Sequence, residues 1–283
     1  MRYLITGANG MLAQDLAAVL HGRDVRKWTR AEWDIANPQQ AKEFIRPADV
    51  VFNCAAYNRV DDAQTHRDDA FRVNADGPRV LAEACATVGA TLVHVSTDYV
   101  FGTDSGQPHH ETDTPDPMSV YGASKAAGER AVLDTLPDAS YVIRTAWLYG
   151  AHGKNFGRTI LHLLDNQDSV SVVNDQWGQP TWTRDLAELA RTLVDNQAPA
   201  GVYHGTNSGE TTWHGFASLL ATLTGRDSSR VEAVPTEAFP RPAPRPRYSV
   251  LGHNRWREAG IDRPRSWESA LREAVEAGVF SAE

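Results

Sequence analysis

Arg2-Tyr3-Leu4-Ile5-Thr6-Gly7-Ala8-Asn9-Gly10-Met11-Leu12-Ala13 carries a short apolar run into a glycine turn, after which Leu12, Leu16, Val19 and Leu20 recur at helical spacing. That order reads as strand, turn, helix. Gly7 permits the tight turn, and Gly10 lets the backbone approach a pyrophosphate held by the free N–H groups of the helix N-terminus. Asn9, Met11 and Leu12 complete the expected cofactor cradle. A G-x-x-G turn alone is also met in ordinary strand-to-helix connections; its place between a strand and a helix is what points to a dinucleotide.

Working outward, Val25-Arg26-Lys27-Trp28 is a second strand, and the residue after such a strand selects the cofactor. An acid there would bind a ribose 2′-OH, whereas an arginine accommodates a 2′-phosphate. Arg30 therefore favours NADPH, with NADH as the alternative because Glu32 and Asp34 stand close by. Asp34 and Ile35 open a loop that would border the adenine, and Asn37-Pro38 reads as a cap and first turn of a helix. Asp49 to Ala56 is a third, buried strand whose small end, Ala55 and Ala56 followed by Tyr57, leaves room for a cofactor. A long helix is expected from Ala70 to Val88; it contains Asn74, read either as a local backbone partner or as a water holder. The fourth strand, Thr91 to Val95, ends at Ser96-Thr97-Asp98-Tyr99, where the carboxyl ends of parallel strands gather chemistry.

Tyr121-Gly122-Ala123-Ser124-Lys125 places a phenol and an ammonium four residues apart at the start of a helix, on one face. A tyrosine titrates near pH ~10, and a neighbouring cation would lower it toward working pH. Such a pair suits proton exchange with a carbonyl or alcohol oxygen, although Y-x-x-x-K also arises by chance. Tyr141 to Thr145 is the fifth strand. The alternation predicts an α/β, Rossmann-type doubly wound parallel sheet over residues 1–150, with right-handed crossovers. Residues 151–283 are expected to form mainly a smaller α/β substrate-binding region, some of whose segments return to the sheet. Short strands at Val170–Val173 and Val202–His204 alternate there with helices near 157–166, 184–196 and 213–224. Pro235 to Pro246 reads as an irregular wall, with Phe239, Arg241, Arg245 and Arg247 docking it toward an anionic substrate.

The 283 residues hold 28 Lys+Arg against 36 Asp+Glu, a net charge of −8, with 41% hydrophobic and 23% charged residues. No basic block suggests nucleic acid, and no apolar run is long enough to span a membrane. A cytoplasmic protein without signal or anchor is expected, its two cysteines, Cys54 and Cys85, being buried free thiols. His109, His110, Glu111 and Asp113 read as a solvated loop rather than a metal site, so no metal is expected.

These motifs together resemble the extended short-chain dehydrogenase/reductase superfamily and, within it, the dTDP-4-dehydrorhamnose reductase family. The resemblance rests on Ile5 to Gly10, Asn53 to Tyr57, Ser96 to Phe101, Tyr121 to Lys125 and Arg144 to Gly150. It continues through Asp175 to Thr181, Gly201 to His204 and Arg245 to Ser249. Ala13 stands where many relatives carry a third glycine, and Ala146 where serine is usual. The resemblance implies reduction of the C4 ketone of a dTDP-sugar, dTDP-6-deoxy-L-lyxo-4-hexulose, to dTDP-L-rhamnose. Tyr121 would be the proton donor, Lys125 would hold the nicotinamide ribose and lower the phenol's pKa, and Thr97 would hydrogen-bond the sugar oxygen. Asp98, Tyr99 and Trp147 would touch the sugar nucleotide, with Asn155 and Gln176 as further candidates. The sister 4,6-dehydratases carry Thr-Asp-Glu where this chain has Thr97-Asp98-Tyr99, so the elimination acid is missing. Relatives occur as monomers and as homodimers, and a homodimer is one arrangement the resemblance allows. A non-catalytic regulatory subunit like that of methionine adenosyltransferase, or a reductase or epimerase of another nucleotide sugar, are the competing readings.

Overall fold

The computed structural model describes residues 1–281, so residues 282 and 283 of the expected C-terminal region lie outside it. The first part of the chain runs β1 (Arg2–Thr6), α1 (Met11–Val19), β2 (Asp24–Trp28), α2 (Pro38–Phe44), β3 (Val50–Asn53), α3 (Arg67–Phe71), α4 (Gly77–Val88), β4 (Thr91–Thr97), α5 (Val120–Thr135) and β5 (Ser140–Thr145). The remainder adds β6 (Leu148–Tyr149), α6 (Phe156–Asn166), β7 (Val170–Val173), β8 (Trp177–Gly178), β9 (Thr181–Trp182), α7 (Thr183–Asp195), β10 (Gly201–His204), β11 (Thr211–Thr212), α8 (Trp213–Leu223), β12 (Val231–Val234), α9 (Asn254–Glu258) and α10 (Trp267–Glu276).

Six strands pair in parallel in the order β2-β1-β3-β4-β5-β10. A strand buried on both faces shows no polar alternation, and β3 and β5 are buried at every position. Successive residues of β1 serve opposite faces. Tyr3 and Ile5 join Leu12, Leu16, Leu186, Leu193 and Trp256 under α1 and α7, whereas Leu4 joins Val51, Leu81, Leu92 and Val142 under α2, α4 and α5. The strand order reverses between β1 and β3, and an open α/β sheet leaves a crevice at the carboxyl ends there.

The helix expected from Ala70 to Val88 is broken. One wide turn, Arg72–Asp76, separates α3 from α4. Pro78 has no N–H to offer the carbonyl four residues earlier, that of Asn74, and the ladder widens at that point. Beyond β5, β10 returns to the edge of the main sheet, and α7 packs on the face that α1 covers. α6, α8 and α10 enclose separate apolar clusters around Tyr149, Phe216 and Trp267, and around Ile160, Val172 and Val231. No helix among the described residues is long and apolar enough to cross a membrane.

Candidate active site

At the crevice lies a cavity of about 600 Å³ that spans from the start of α1 to the start of α8. Its cofactor end is built by the first turn of the chain. Gly7 sits at φ +69°, and a Cβ there would come within 2.9 Å of the Ala55 backbone, so glycine is required twice over. Gly10 N-caps α1 without any side-chain cap, leaving the N–H groups of the first helical turn without intrahelical partners. Gly10, Met11, Leu12 and Ala13 line the cavity. That is a cradle suited to a pyrophosphate, and it fits a dinucleotide.

The residues expected around the rest of the cofactor are distributed as follows. Ala56 lines the cavity and Ala55 backs Gly7. Asn9 is exposed at the turn, its carbonyl accepting from Gln14. Arg30 is exposed at the end of β2. Glu32 accepts from the Thr29 N–H and hydroxyl, both at 2.8 Å, which occupies one carboxylate oxygen locally. Asp34 pairs with Arg72, and Ile35 is buried against Gly77. Tyr57 is buried, with its hydroxyl on Asp62. Its backbone is held by Asn74, whose Oδ1 accepts from Tyr57 N–H at 2.8 Å. Asn74 Nδ2 donates to Tyr57 O and to Ser124 Oγ, both at 3.0 Å. The side chain is thus spent on structure rather than on water.

Thr97, Tyr121 and Lys125 converge on the cavity from β4 and α5. Ser119 caps α5 through the Gly122 N–H at 3.1 Å, which fixes where the Tyr121 turn begins. Gly122 allows the helix to lie against the Tyr99 carbonyl, where a Cβ would be only 2.0 Å from that oxygen. The Tyr121 ring meets Tyr99 edge-on at 6.2 Å. The expected lowering of the phenol by Lys125 does not occur in this arrangement. Burial pushes Tyr121 up to about 12, and the opposing pull comes from a hydrogen bond with Thr97. Lys125 Nζ instead donates to Val95 O at 2.6 Å, and burial brings the amine down to about 8.

Asp98, Tyr99 and Trp147 also line the cavity. Trp147 adopts φ +46°, a strained value for a bulky residue, and is stacked on Trp213 at 3.6 Å. Asn155 and Gln176 are not among the cavity's walls. Asn155 N-caps α6, accepting from Arg158 N–H at 3.0 Å and donating to Gly150 O at 3.1 Å; Gln176 donates to Thr236 at 3.0 Å. Sequence reasoning did not single out His152, Lys154, Phe156, Thr145 or Trp213, which line the cavity too. The loop after β5 was the only signal that could have found the first three. Ser96 Oγ and Thr145 Oγ1 have no partner among the described residues.

Two expectations about surfaces are corrected. Of the four side chains expected to dock the Pro-rich wall, Arg245 does so, donating to Asp61 at 3.0 Å over the Tyr99 ring, whereas Phe239, Arg241 and Arg247 are exposed; the wall is held besides by the Ala243 N–H on Asp61 at 3.2 Å and by Thr236, and none of these residues lines the cavity. An acid already neutralises the docked guanidinium. The loop read as solvated buries His109, stacked 4.2 Å from Phe101, and Glu111, which accepts from Arg255 N–H. Of the two free cysteines, Cys85 is buried as expected, whereas Cys54 is half-buried at the cavity wall.

A glycine cradle at a helix N-terminus, joined to a hydroxyl, a phenol and an ammonium at the strand ends, defines a dinucleotide-dependent oxidoreductase of the short-chain dehydrogenase/reductase type. Residues 1–279 match the family described as the RmlD substrate binding domain, and the chain belongs to that family. A dTDP-4-dehydrorhamnose reductase of Streptomyces griseus is 47% identical over 98% of this chain and 93% of its own. A dTDP-4-keto-6-deoxy-D-glucose reductase of Streptomyces niveus is 46% identical over 96% of each. Among solved structures, a dTDP-4-dehydrorhamnose reductase of Bacillus anthracis in complex with NADP superposes with a TM-score of 0.93 at 38% identity, over 98% of this chain and 99% of that one.

Proposed function

We propose that this protein reduces the C4 ketone of dTDP-6-deoxy-L-lyxo-4-hexulose to dTDP-L-rhamnose, with NADPH as reductant. The observation that carries the reading is the convergence of Thr97, Tyr121 and Lys125 in one cavity with an uncapped α1 N-terminus. The names of the relatives and the NADP in the Bacillus anthracis structure support the substrate class and the cofactor. The nicotinamide, when bound, supplies the hydride. Gly7, Asn9, Gly10, Met11 and Leu12 would hold its pyrophosphate, Arg30 its 2′-phosphate, Asp34, Ile35, Ala55, Ala56 and Tyr57 the adenine and ribose side, and Lys125 the nicotinamide ribose.

The chain's own work is to place and protonate the ketone. Tyr121, kept neutral by burial, donates its proton to the carbonyl oxygen as negative charge develops there. Thr97 hydrogen-bonds the same oxygen. Asp98, Tyr99 and Trp147 would bound the sugar, and Asn155 would act from behind by fixing the loop that carries His152 and Lys154, with Gln176, bonded to Thr236, as a further candidate. Residues 1–150 would supply the cofactor half and residues 151–283 most of the substrate half, with a homodimer as one arrangement and the cytoplasm as the compartment of such a pathway.

The test is NADPH oxidation by the purified protein with dTDP-4-keto-6-deoxy-D-glucose, with and without the 3,5-epimerase that makes the proposed substrate. Oxidation only with the epimerase supports the rhamnose reaction. Oxidation without it assigns the sugar in the Streptomyces niveus relative's name, and none in either case, with NADPH still bound, turns the reading to a regulatory subunit or to a different nucleotide sugar.

A further inference from the structure

Beside Tyr121 runs a buried chain of hydroxyl, carboxyl and hydroxyl whose far end the mechanism above does not use. Thr97 Oγ1 lies 3.0 Å from Asp98 Oδ1, and Ser249 Oγ lies 2.7 Å from Asp98 Oδ2. The Tyr99 N–H donates to Thr97 Oγ1 at 3.2 Å. Asp98 is 3% exposed and Ser249 2%. Ser249 arrives from the segment that follows the Pro-rich wall, so the chain joins β4 to the C-terminal region across the site.

A threonine hydroxyl owns one proton, and an ionised carboxylate can only accept. With Asp98 ionised, the Thr97 proton is committed to Asp98 Oδ1, and Thr97 meets the phenol and the cavity with lone pairs alone. It could not then donate to a ketone oxygen. With the proton on Asp98 Oδ1, the carboxyl donates to Thr97 Oγ1 and the Thr97 proton is free to turn toward the cavity.

We propose that Asp98 sets the direction of the Thr97 hydroxyl, and that ketone reduction proceeds with Asp98 as the carboxylic acid, donating to Thr97, which in turn donates to the substrate oxygen. This rests on the ketone-reductase reading. Asp98 is then a positioning residue, and it neither gains nor loses a proton in the step. The transferred proton leaves Tyr121 Oη for the carbonyl oxygen, while those on Thr97 and Asp98 remain where they are as hydrogen bonds. Ser249 donates to Oδ2 in both states.

Burial works against the ionised carboxylate, while two hydroxyls and the backbone N–H groups of Asp98 and Tyr99 work for it. The titratable groups nearest the carboxyl are Tyr99 on its own turn and Tyr121 on α5, with Arg245 and Asp61 beyond Tyr99. Arg245 and Asp61 pair with each other, and Lys125, on the same cavity, donates to the Val95 carbonyl. Burial pushes the carboxyl up to about 6 against the pull of its two hydroxyl donors.

The test is the pH dependence of kcat/KM for ketone reduction, which reports groups of the free enzyme. Wild-type protein should show a limb descending about tenfold per pH unit above about pH 6, where Asp98 ionises. Asp98→Asn should lose that limb, because its amide has no proton to lose in this range and donates toward Thr97 at every pH. Ser249→Ala removes a donor to the carboxylate, and the limb should move to higher pH. A readout without turnover is the carbon-13 resonance of the carboxyl in the ligand-free protein. It should be absent from Asp98→Asn, titrate near the same pH as the limb, and move upward with Ser249→Ala. A wild type that turns over with no limb, or a limb retained in Asp98→Asn, overturns this proposal alone. A wild type inert toward the ketone at every pH overturns this proposal and the reductase reading together.

Discussion

Burial keeps Tyr121 in the form that its proposed role as proton donor requires. With its phenol pushed up to about 12, it carries its proton at neutral pH, the form a reductase needs. The direction is opposite to what the Tyr–Lys spacing suggested, because spacing cannot reveal how deeply the phenol is buried; Lys125 meanwhile donates to the Val95 carbonyl. Tyr121→Phe should therefore leave NADPH affinity intact and lower kcat by roughly 10²-fold or more, the usual yield of a positioned acid. Fluorescence titration with NADPH and turnover measured on the same preparation decide it; near wild-type turnover would remove Tyr121 from the role. Arg30 is exposed at the end of β2 while Glu32 is turned onto Thr29, so in the proposed role Arg30 would meet a 2′-phosphate with that acid occupied. Arg30→Ala should raise KM for NADPH about tenfold or more and change KM for NADH little, the loss of roughly one charge-assisted hydrogen bond. Equal effects on the two cofactors would dismiss the argument.

At the scale of elements, the strands and most helices were legible because period and punctuation agree. The β1 turn is announced by Gly7 and Gly10, α2 by Asn37-Pro38, and the buried strands by unbroken apolar runs. The break between α3 and α4 was legible too, in Gly77-Pro78, but apolar spacing from Phe71 to Val88 masked it. What no pattern showed was the use of the wide turn. It delivers Asn74 to three polar groups: the Tyr57 N–H, the Tyr57 carbonyl and the Ser124 hydroxyl, which itself donates to the Tyr121 carbonyl at 2.7 Å. Asn74→Ala should destabilise the protein by roughly 2–4 kcal/mol, since a buried polar group left without its partner costs about 1–3 kcal/mol and water can reach only some of them. Chemical denaturation measures it. A loss below about 0.5 kcal/mol, the level of an ordinary surface change, would mean that the turn holds itself. The site's distal wall, His152, Lys154, Phe156 and Trp213, was illegible for another reason: two loop residues and the first residues of α6 and α8 meet only through tertiary packing.

For the whole molecule, the question is whether the cofactor half is a unit or only a stretch of sequence. The composition changes after residue 150, and the cavity is shared by both sides of that point, with Gly10 to Ala13 at one end and Trp213 at the other. The apolar packing does not divide there. Leu186 and Leu193 of α7, Tyr203 of β10 and Trp256 of α9 are each 0% exposed and belong to the same core as Ile5 and Leu16. Burying one such side chain is worth about 1.5–3 kcal/mol, so these four contribute roughly 6–12 kcal/mol, comparable to the entire stability of a typical domain, about 5–15 kcal/mol. The segment carrying Ser249 adds polar ties: Gln179 accepts from Leu251 N–H at 2.8 Å and donates to its carbonyl at 3.1 Å, and the His109 N–H donates to Val250 O at 2.8 Å. Residues 1–150 expressed alone should therefore lack a cooperative thermal transition, and the full chain should unfold in a single one. Calorimetry with circular dichroism on both chains tests this, because a fragment with its own sharp transition, or a full chain with two separated transitions, would show that the sheet carries its stability without α7, β10 and α9.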